Sequence, residues 1–348
     1  MAANDLTGRL PPFPDDVPTH TLLVIDYGKL KAGDRIEQDV LWDACTTLDF
    51  FCMPFFILKN HGIDTQPMWE MGEVTMAMPI EEKMKYEQGN SGSSFGYKAA
   101  GANAADEMAI VSKDDALARP NIAHRVYPPS VEKYMPAIRT YVEASETIHR
   151  TLLDFMSDRL GLPREVLREK HDSNAYSGCD ARITLSPPMT MSKEQIALGD
   201  HTDIGSLSIL HNILGGLQVL PPGTKDWKYV KPLTGHAICN IGDTLAIFSG
   251  GILRSSHHRV IPPPGRQSQF SRWSLVYFLR PVPYVILEPL TQSPLISEAA
   301  QKNKLNIGEN VTAGEWYIRR KSNLRIANRK GPETWKASRG TEFMLEAA

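Results

Sequence analysis

A chain of 348 residues, 42% hydrophobic and 22% charged, suits two average domains or one large β or α/β unit, and needs no disulfide scaffold to hold its core. Thirty-eight basic residues against 40 acidic ones leave a formal charge of −2. That balance argues against duplex nucleic acid or an anionic membrane surface as the main partner.

Residues 1–20 hold four prolines and no apolar run, so they do not read as a secretory signal. No window approaches the roughly 18 apolar residues of a membrane span. Cys45, Cys52, Cys179 and Cys239 form no C-x-x-C pair and read as reduced thiols in a cytoplasmic protein. The first ordered element is a β-rich run at residues 21–26. Residues 36–50 carry apolar side chains at helical spacing: Ile36, Val40, Leu41, Ala44 and Leu48. A buried strand follows at residues 55–59, closed by Asn60-His61-Gly62. Residues 66–76 and 80–87 read as helices, the second opened by Pro79. Residues 88–106, rich in Gly, Ser, Ala and Asn, read as a loop. The longest helical stretch is 130–160, with Gly161 as its cap and Pro163 opening a shorter helix.

From about residue 180 the texture changes. Short β-rich runs alternate with Gly/Pro turns: RITL, SLSILH, LQVL, YVKPL, AICNIG, TLAIFSG, HHRVI and RWSLVYFLR. Such spacing predicts an all-β sandwich or barrel. With helices first and strands second, the fold class is α+β with a mainly β core. The last 50 residues return to charged, helix-compatible sequence.

Three features in the β half carry chemistry. In His201-Thr202-Asp203, positions i and i+2 of a strand would share one face. His257-His258-Arg259-Val260 follows, and then Arg272-Trp273-Ser274. Two imidazoles and a carboxylate on one face, with positions left open, are the ligand set of non-haem Fe(II) oxygenases. An Arg and a Ser one strand away can grip a carboxylate. Neither tripeptide means much alone. His124-Arg125-Val126 repeats the second one in a loop and reads as structural. Order and spacing lift the β-half copy.

These segments resemble the isopenicillin N synthase-like branch of the Fe(II)/2-oxoglutarate-dependent dioxygenases. VID at 24–26, FFILKNHGI at 55–63 and MPIEEKMKY at 78–86 resemble its N-terminal signatures. Gly199 to Asp203, Gly216-Leu217-Gln218-Val219 with Trp227, Asn240-Ile241-Gly242-Asp243 and Ser255 to Val260 resemble its core motifs. The resemblance implies a double-stranded β-helix, or jelly roll, with surrounding helices. It divides the chain into a mixed α/β region (1–175), the jelly-roll core (176–285) and a helical extension covering it (286–348). It implies His201, Asp203 and His258 as Fe(II) ligands, His258 because the ligand directly precedes Arg-Val. His257 would then be a packing or supporting residue. Arg272 and Ser274 would hold the distal carboxylate of 2-oxoglutarate.

The sequence departs from the family at residues 182–188. Thr184 and Ser186 stand where many members have Asn and Tyr beside the keto-acid end of 2-oxoglutarate. The site should therefore be wider near the metal, or another residue fills the gap. Arg182 alternates with them and is a candidate for the substrate pocket. The loop at 91–104 and the C-terminal helical region are lid candidates. His61 and His211 read as structural, and Pro262-Pro263-Pro264-Gly265 as a stiff turn.

The function that follows is oxidation of a C–H bond in a small organic molecule, in specialised metabolism, with O₂ as the other substrate. Hydroxylation, desaturation and ring rearrangement are all compatible. Two rivals are a non-haem iron oxidase of the same superfamily that does not use 2-oxoglutarate, and a metal-free binding module on the same fold. The expected protein binds no nucleic acid or membrane, is cytoplasmic, and is a monomer or weak dimer.

Overall fold

The structure is a computed structural model and describes residues 10–46, 54–87, 89, 95–102, 106–118, 125–188, 198–304 and 307–341. Twelve strands among them form two sheets. They are β1 (Leu23–Asp26), β2 (Phe55–Lys59), β3 (Gly96–Lys98), β4 (Glu107–Ser112), β5 (Asp180–Ser186), β6 (Leu198–His201), β7 (Leu207–Asn212), β8 (Leu217–Val219), β9 (Lys228–Tyr229), β10 (Ala237–Ile241), β11 (His258–Val260) and β12 (Arg272–Leu279). The major sheet runs β1-β2-β10-β7-β12-β5-β4-β3, and the minor sheet β6-β11-β8-β9. Among the described strands, only β1 and β2 pair in parallel. The helices used below are α1 (Arg35–Thr46), α2 (Gln66–Met76), α3 (Pro129–Arg159), α4 (Asp243–Phe248), α5 (Pro294–Asn303) and α6 (Ala313–Leu324).

Alternation along the strands decides what faces the site. On β12, Leu275, Tyr277 and Leu279 join Ala181 and Ile183 of β5 in the main apolar core. Ile138, Tyr141, Val142 and Leu152 of α3 belong to the same core, so the 31-residue helix backs the outer face of the sheet. Its Glu146 accepts a hydrogen bond from the Tyr277 hydroxyl. The helix ends at Arg159 with Gly161 at φ +67°, a left-handed position that glycine occupies without a Cβ clash. The opposite positions of β12, from Arg272 to Phe278, face the inside of the sandwich. A smaller cluster, including Phe55, Ile57, Leu217, Val219 and Ile238, fills the space between the two sheets at one end.

Three sequence expectations need correcting. The TLAIFSG run is a helix, α4, with every residue buried. A short, uniformly apolar run has no period that separates a strand from a buried helix. Residues 88–106 were expected to be all loop, yet β3 lies within them, and the adjoining β4 was not anticipated. β6, the strand that ends in His201, was not among the expected runs either. Its Leu-Gly-Asp-His sequence has little β preference, and cross-strand pairing with β11 holds it in place.

Elsewhere the elements agree closely. α1 ends at Thr46, before residues 47–50, which lie outside the described residues as does Cys52. α2 matches residues 66–76, and the next helix is shorter than expected, Ile80–Met84. The candidate lid at 91–104 lies largely outside the described residues. No described helix is long and apolar enough to cross a membrane. Cys45, Cys179 and Cys239 are buried and unbridged.

Candidate metal and cosubstrate site

His201 and His258 face each other across the minor sheet, in register between β6 and β11. Their ring centroids are 4.3 Å apart. Asp203 joins them from a different kind of backbone than expected. β6 stops at His201, and Asp203 lies in the turn that follows. Convergence therefore comes from the turn and not from strand alternation. Asp203 Oδ1 lies 4.0 Å from His201 Nε2 and 3.9 Å from His258 Nε2. One ligand atom from each of the three falls within 4.8 Å of the others.

Each imidazole is fixed by its other nitrogen. Nδ1 of His201 donates to the Gly199 carbonyl at 2.8 Å, and Nδ1 of His258 to the Ser256 carbonyl at 3.1 Å. A carbonyl can only accept, so the proton sits on Nδ1 and the Nε2 lone pair points to the centre. Burial and the neighbouring His258 push the His201 imidazole down to about 3, which keeps it neutral. Burial works against the Asp203 carboxylate, but His258, His201 and a hydrogen bond from Asn240 Nδ2 at 2.6 Å outweigh it and hold it ionised. Two imidazoles and a carboxylate gathered at one point, without a hydrogen-bonded lock on either Nε2 among the described residues, fit a divalent iron.

His257 points elsewhere: its Nδ1 is 2.7 Å from Asp200. Arg259 turns outward, stacks 4.3 Å above Trp227 and donates to Gln218 at 2.8 Å. The second H-R-V copy is structural in its described part, with Arg125 paired to Asp115 at 3.0 Å and Val126 exposed. His124 lies outside the described residues. His211 is buried against His61 and Tyr141, and His61 Nδ1 accepts from the Ile63 amide in its own turn.

The triad opens into a cavity of about 100 Å³ whose far wall is the inner face of β5 and β12. Arg272 lies on that wall, 2% exposed. Its Nε donates to the Gly215 carbonyl at 2.7 Å and its Nη1 to Ser274 Oγ at 2.5 Å. Burial lowers its pKa, partly offset by Asp106. A desolvated guanidinium held at two points, with Ser274 beside it, suits the carboxylate of a keto acid. Gly216 makes room for it. At φ +106°, an added Cβ would lie 2.5 Å from the Ile261 carbonyl and 3.1 Å from Arg272 Nε. Gly216→Ala should destabilise the fold by more than about 1 kcal/mol in denaturant unfolding and raise half-saturating 2-oxoglutarate.

Thr184 and Arg182 also line the cavity, but Ser186 does not. Thr184 Oγ1 donates to the Ser274 carbonyl at 3.3 Å. Ser186 pairs with Arg272 in register, and its buried hydroxyl has no partner among the described residues.

Sequence reasoning assigned no role to the groups that hold the H-T-D turn. Asn240 and Asp243, both in the N-I-G-D motif, are two of them. Asn240 orients Asp203, while buried Asp243 accepts from Thr202 at 3.2 Å and Thr341 at 2.7 Å and pairs with Arg320 of α6. Arg320 Nη2 also donates to the Thr202 carbonyl at 3.0 Å. Helix α6 is thus pinned to the residue between two of the triad members. Arg320→Met would strand a buried carboxylate and should cost about 3–5 kcal/mol in equilibrium unfolding.

A half-buried His-Asp-His cluster facing a desolvated arginine inside a two-sheet jelly roll defines a mononuclear iron oxygenase of the keto-acid-dependent class. A family model described as the 2OG-Fe(II) oxygenase superfamily matches residues 173–281. The chain is 30% identical over 282 residues to the 2-oxoglutarate-dependent dioxygenase FG08081 of Gibberella zeae, covering 76% of this chain and 81% of that protein. It is 26% identical over 318 residues to naringenin,2-oxoglutarate 3-dioxygenase of Arabidopsis thaliana, covering 88% and 82%. Full-length Neurospora crassa T7H, solved with alpha-KG and thymine, matches with a TM-score of 0.72 at 19% identity, over 89% of this chain and 98% of that one. The dioxygenase for auxin oxidation of rice matches at 0.61 and 22%, over 86% and 99%.

The chain belongs to the 2OG-Fe(II) oxygenase superfamily, in its isopenicillin N synthase-like form. It is a dioxygenase whose cofactors are Fe(II) and 2-oxoglutarate.

Proposed function

We propose that this enzyme oxidises a C–H bond of a small organic molecule in specialised metabolite biosynthesis, with hydroxylation as its default outcome. The observation that carries the reading is one cavity walled by the triad on one side and Arg272 on the other. Bound iron with 2-oxoglutarate supplies the oxidising power, as the keto acid is cleaved by O₂ to succinate and CO₂. The protein's own residues set the geometry. In this reading His201, Asp203 and His258 hold the metal, while Arg272 and Ser274 fix the distal carboxylate of 2-oxoglutarate.

Thr184 would shape the wall beside the keto acid. Ser186 is better read as leaving room next to Arg272 than as a direct contact, since its hydroxyl is off the cavity wall. The remaining wall is largely apolar, with Phe278, Met108, Val276 and Leu210 available to pack an organic skeleton and exclude water. The segment 176–285 is the catalytic core in this scheme, with 1–175 and 286–348 supplying sheet partners and cover.

The test begins with anaerobic titration of the full chain with Fe(II) and then 2-oxoglutarate. A metabolite screen in air follows, reading succinate and oxidised product together. Stoichiometric iron, saturable 2-oxoglutarate binding and substrate-dependent succinate are the expected results. Product formation without succinate would instead establish an oxidase that does not use 2-oxoglutarate.

A further inference from the structure

The inner wall of the cavity carries a second arginine, Arg182, remote from Arg272, and Arg182 belongs to a cationic group whose other members lie off the cavity lining. Inward positions on β12 run from Arg272 to Phe278, and Arg280 continues the alternation past the strand end. On β5 the register sets Arg182 opposite Val276 and Asp180 opposite Phe278. Six residues of strand separate Arg272 from Phe278, roughly 20 Å. On β3, Lys98 lies opposite Met108, which lies opposite Thr184, so Lys98 shares this face.

Asp180 is fully buried at the centre of this group. Both its oxygens accept from Arg182 Nη2 at 3.1 Å, and Oδ2 accepts from Arg280 Nη1 at 2.8 Å. Lys321 of α6 and Lys98 lie within electrostatic reach of the same carboxylate and of both guanidiniums or one of them. Three cations, Arg182, Arg280 and Lys321, therefore share one carboxylate, with Lys98 close by. Arg325 and Glu87 are close by and pair with each other, and Glu87 also acts on Lys98.

The excess is visible in individual groups. Lys321 is 7% exposed, and among the described residues it makes no hydrogen bond or ion pair. Among the described residues, Nε of Arg182 is buried without a partner, and so is Nε of Arg280. Burial holds Lys321 well below the ordinary lysine range, with Arg182 adding to the effect, and pushes Lys98 down to about 8. Buried cations without full compensation, here Lys321 and the Arg182–Arg280 pair, are among the costliest features a fold can keep. An anionic ligand would relieve them.

What lies between this cluster and the triad is apolar. Phe278 sits with Arg182 4.8 Å and Arg280 5.1 Å from its ring, and Met108, Val276 and Leu210 continue the surface. We propose that the Arg182–Lys321 cluster is the subsite for a carboxylate on the substrate, so that this enzyme acts on small hydrophobic acids. The inference rests on the oxygenase reading of the cavity and adds the substrate class to it. The acid group docks at Arg182, and the apolar body extends over Phe278 towards the triad. Arg272 stays reserved for 2-oxoglutarate, at the other end of the same wall.

The test uses the full chain loaded anaerobically with Fe(II) and saturated with 2-oxoglutarate. Calorimetric titrations compare phenylacetate, its uncharged counterpart phenylacetamide, and phenyl phosphate. Failure of the wild type to bind iron or 2-oxoglutarate, read before any acid is added, would sink the oxygenase reading itself. With that established, phenylacetate should bind at least tenfold tighter than the amide without displacing 2-oxoglutarate. Arg182→Gln should remove that preference by weakening the acid alone, and Lys321→Gln should act in the same direction. Arg182→Lys, which keeps a cation beside Asp180, should retain most of the preference and guards against a folding defect in the glutamine variant. Equal binding of acid and amide, displacement of 2-oxoglutarate by phenylacetate, or an Arg182→Gln loss shared equally by the amide would overturn the proposal. Tighter binding of phenyl phosphate than of phenylacetate would overturn the assignment to a carboxylate.

Discussion

His258→Ala is expected to reduce bound Fe(II) and substrate-dependent succinate to background, while His257→Ala keeps both. The two histidines are neighbours in sequence, but their side chains leave the chain in opposite directions. His258 Nε2 faces Asp203 at 3.9 Å and His201 across the sheet. His257 reaches Asp200, a partly exposed carboxylate, at 2.7 Å. A partly exposed contact of that kind contributes at most about 1 kcal/mol. His201→Ala and Asp203→Ala should match His258→Ala, because each removes one of only three protein ligands.

Asn240→Ala supplies the graded case. It keeps all three ligands but frees Asp203 Oδ2, and loss of such supporting contacts typically costs about 10–100-fold in metal affinity. Iron content measured after anaerobic loading and desalting would rank the variants. Retention of iron by His258→Ala together with its loss in His257→Ala would reverse the assignment.

The parts of this site differ in how far the sequence exposes them. His201, His258 and Arg272 are visible because chemistry demands those residue types and the β texture frames them. Asp203 is visible as a residue but for an incomplete reason, since it stands past the end of β6 and reaches the centre through a turn. That turn is shaped by contacts from far along the chain: Asn240 on β10, Asp243 on α4 and Arg320 on α6. Residues 37 to 118 positions apart come together only when two sheets and a C-terminal helix have packed.

The same limit applies to strands. β2 and β12 are legible from β-branched and aromatic runs. β6 and β3 are short, contain glycine and exist through pairing with neighbours. α4 is obscured for a different reason, because an all-buried helix offers no polar face to reveal its period. Arg182 could be placed on a strand face from its spacing to Thr184. Its surroundings, with Asp180 shared with Arg280 and Lys321 arriving from α6, could not.

Arg272→Gln should raise half-saturating 2-oxoglutarate by about 10- to 150-fold while leaving anaerobic Fe(II) binding intact. The range follows from roughly 1.5–3 kcal/mol for hydrogen bonds to a charged group, at tenfold per 1.4 kcal/mol. The separation of effects follows from position. Arg272 belongs to the major sheet and bonds Gly215 and Ser274, whereas the metal ligands belong to β6, its following turn and β11. Arg272→Lys is the more informative partner. It retains a positive charge but loses the planar fork and the Nε bond to Gly215, so it should recover only part of the affinity. Anaerobic titration of the iron-loaded variants with 2-oxoglutarate gives the values directly, and unfolding curves separate lost recognition from a loosened β12. An unchanged half-saturation in Arg272→Gln would move the cosubstrate carboxylate elsewhere, with Arg182 then the only other arginine or lysine lining this cavity among the described residues.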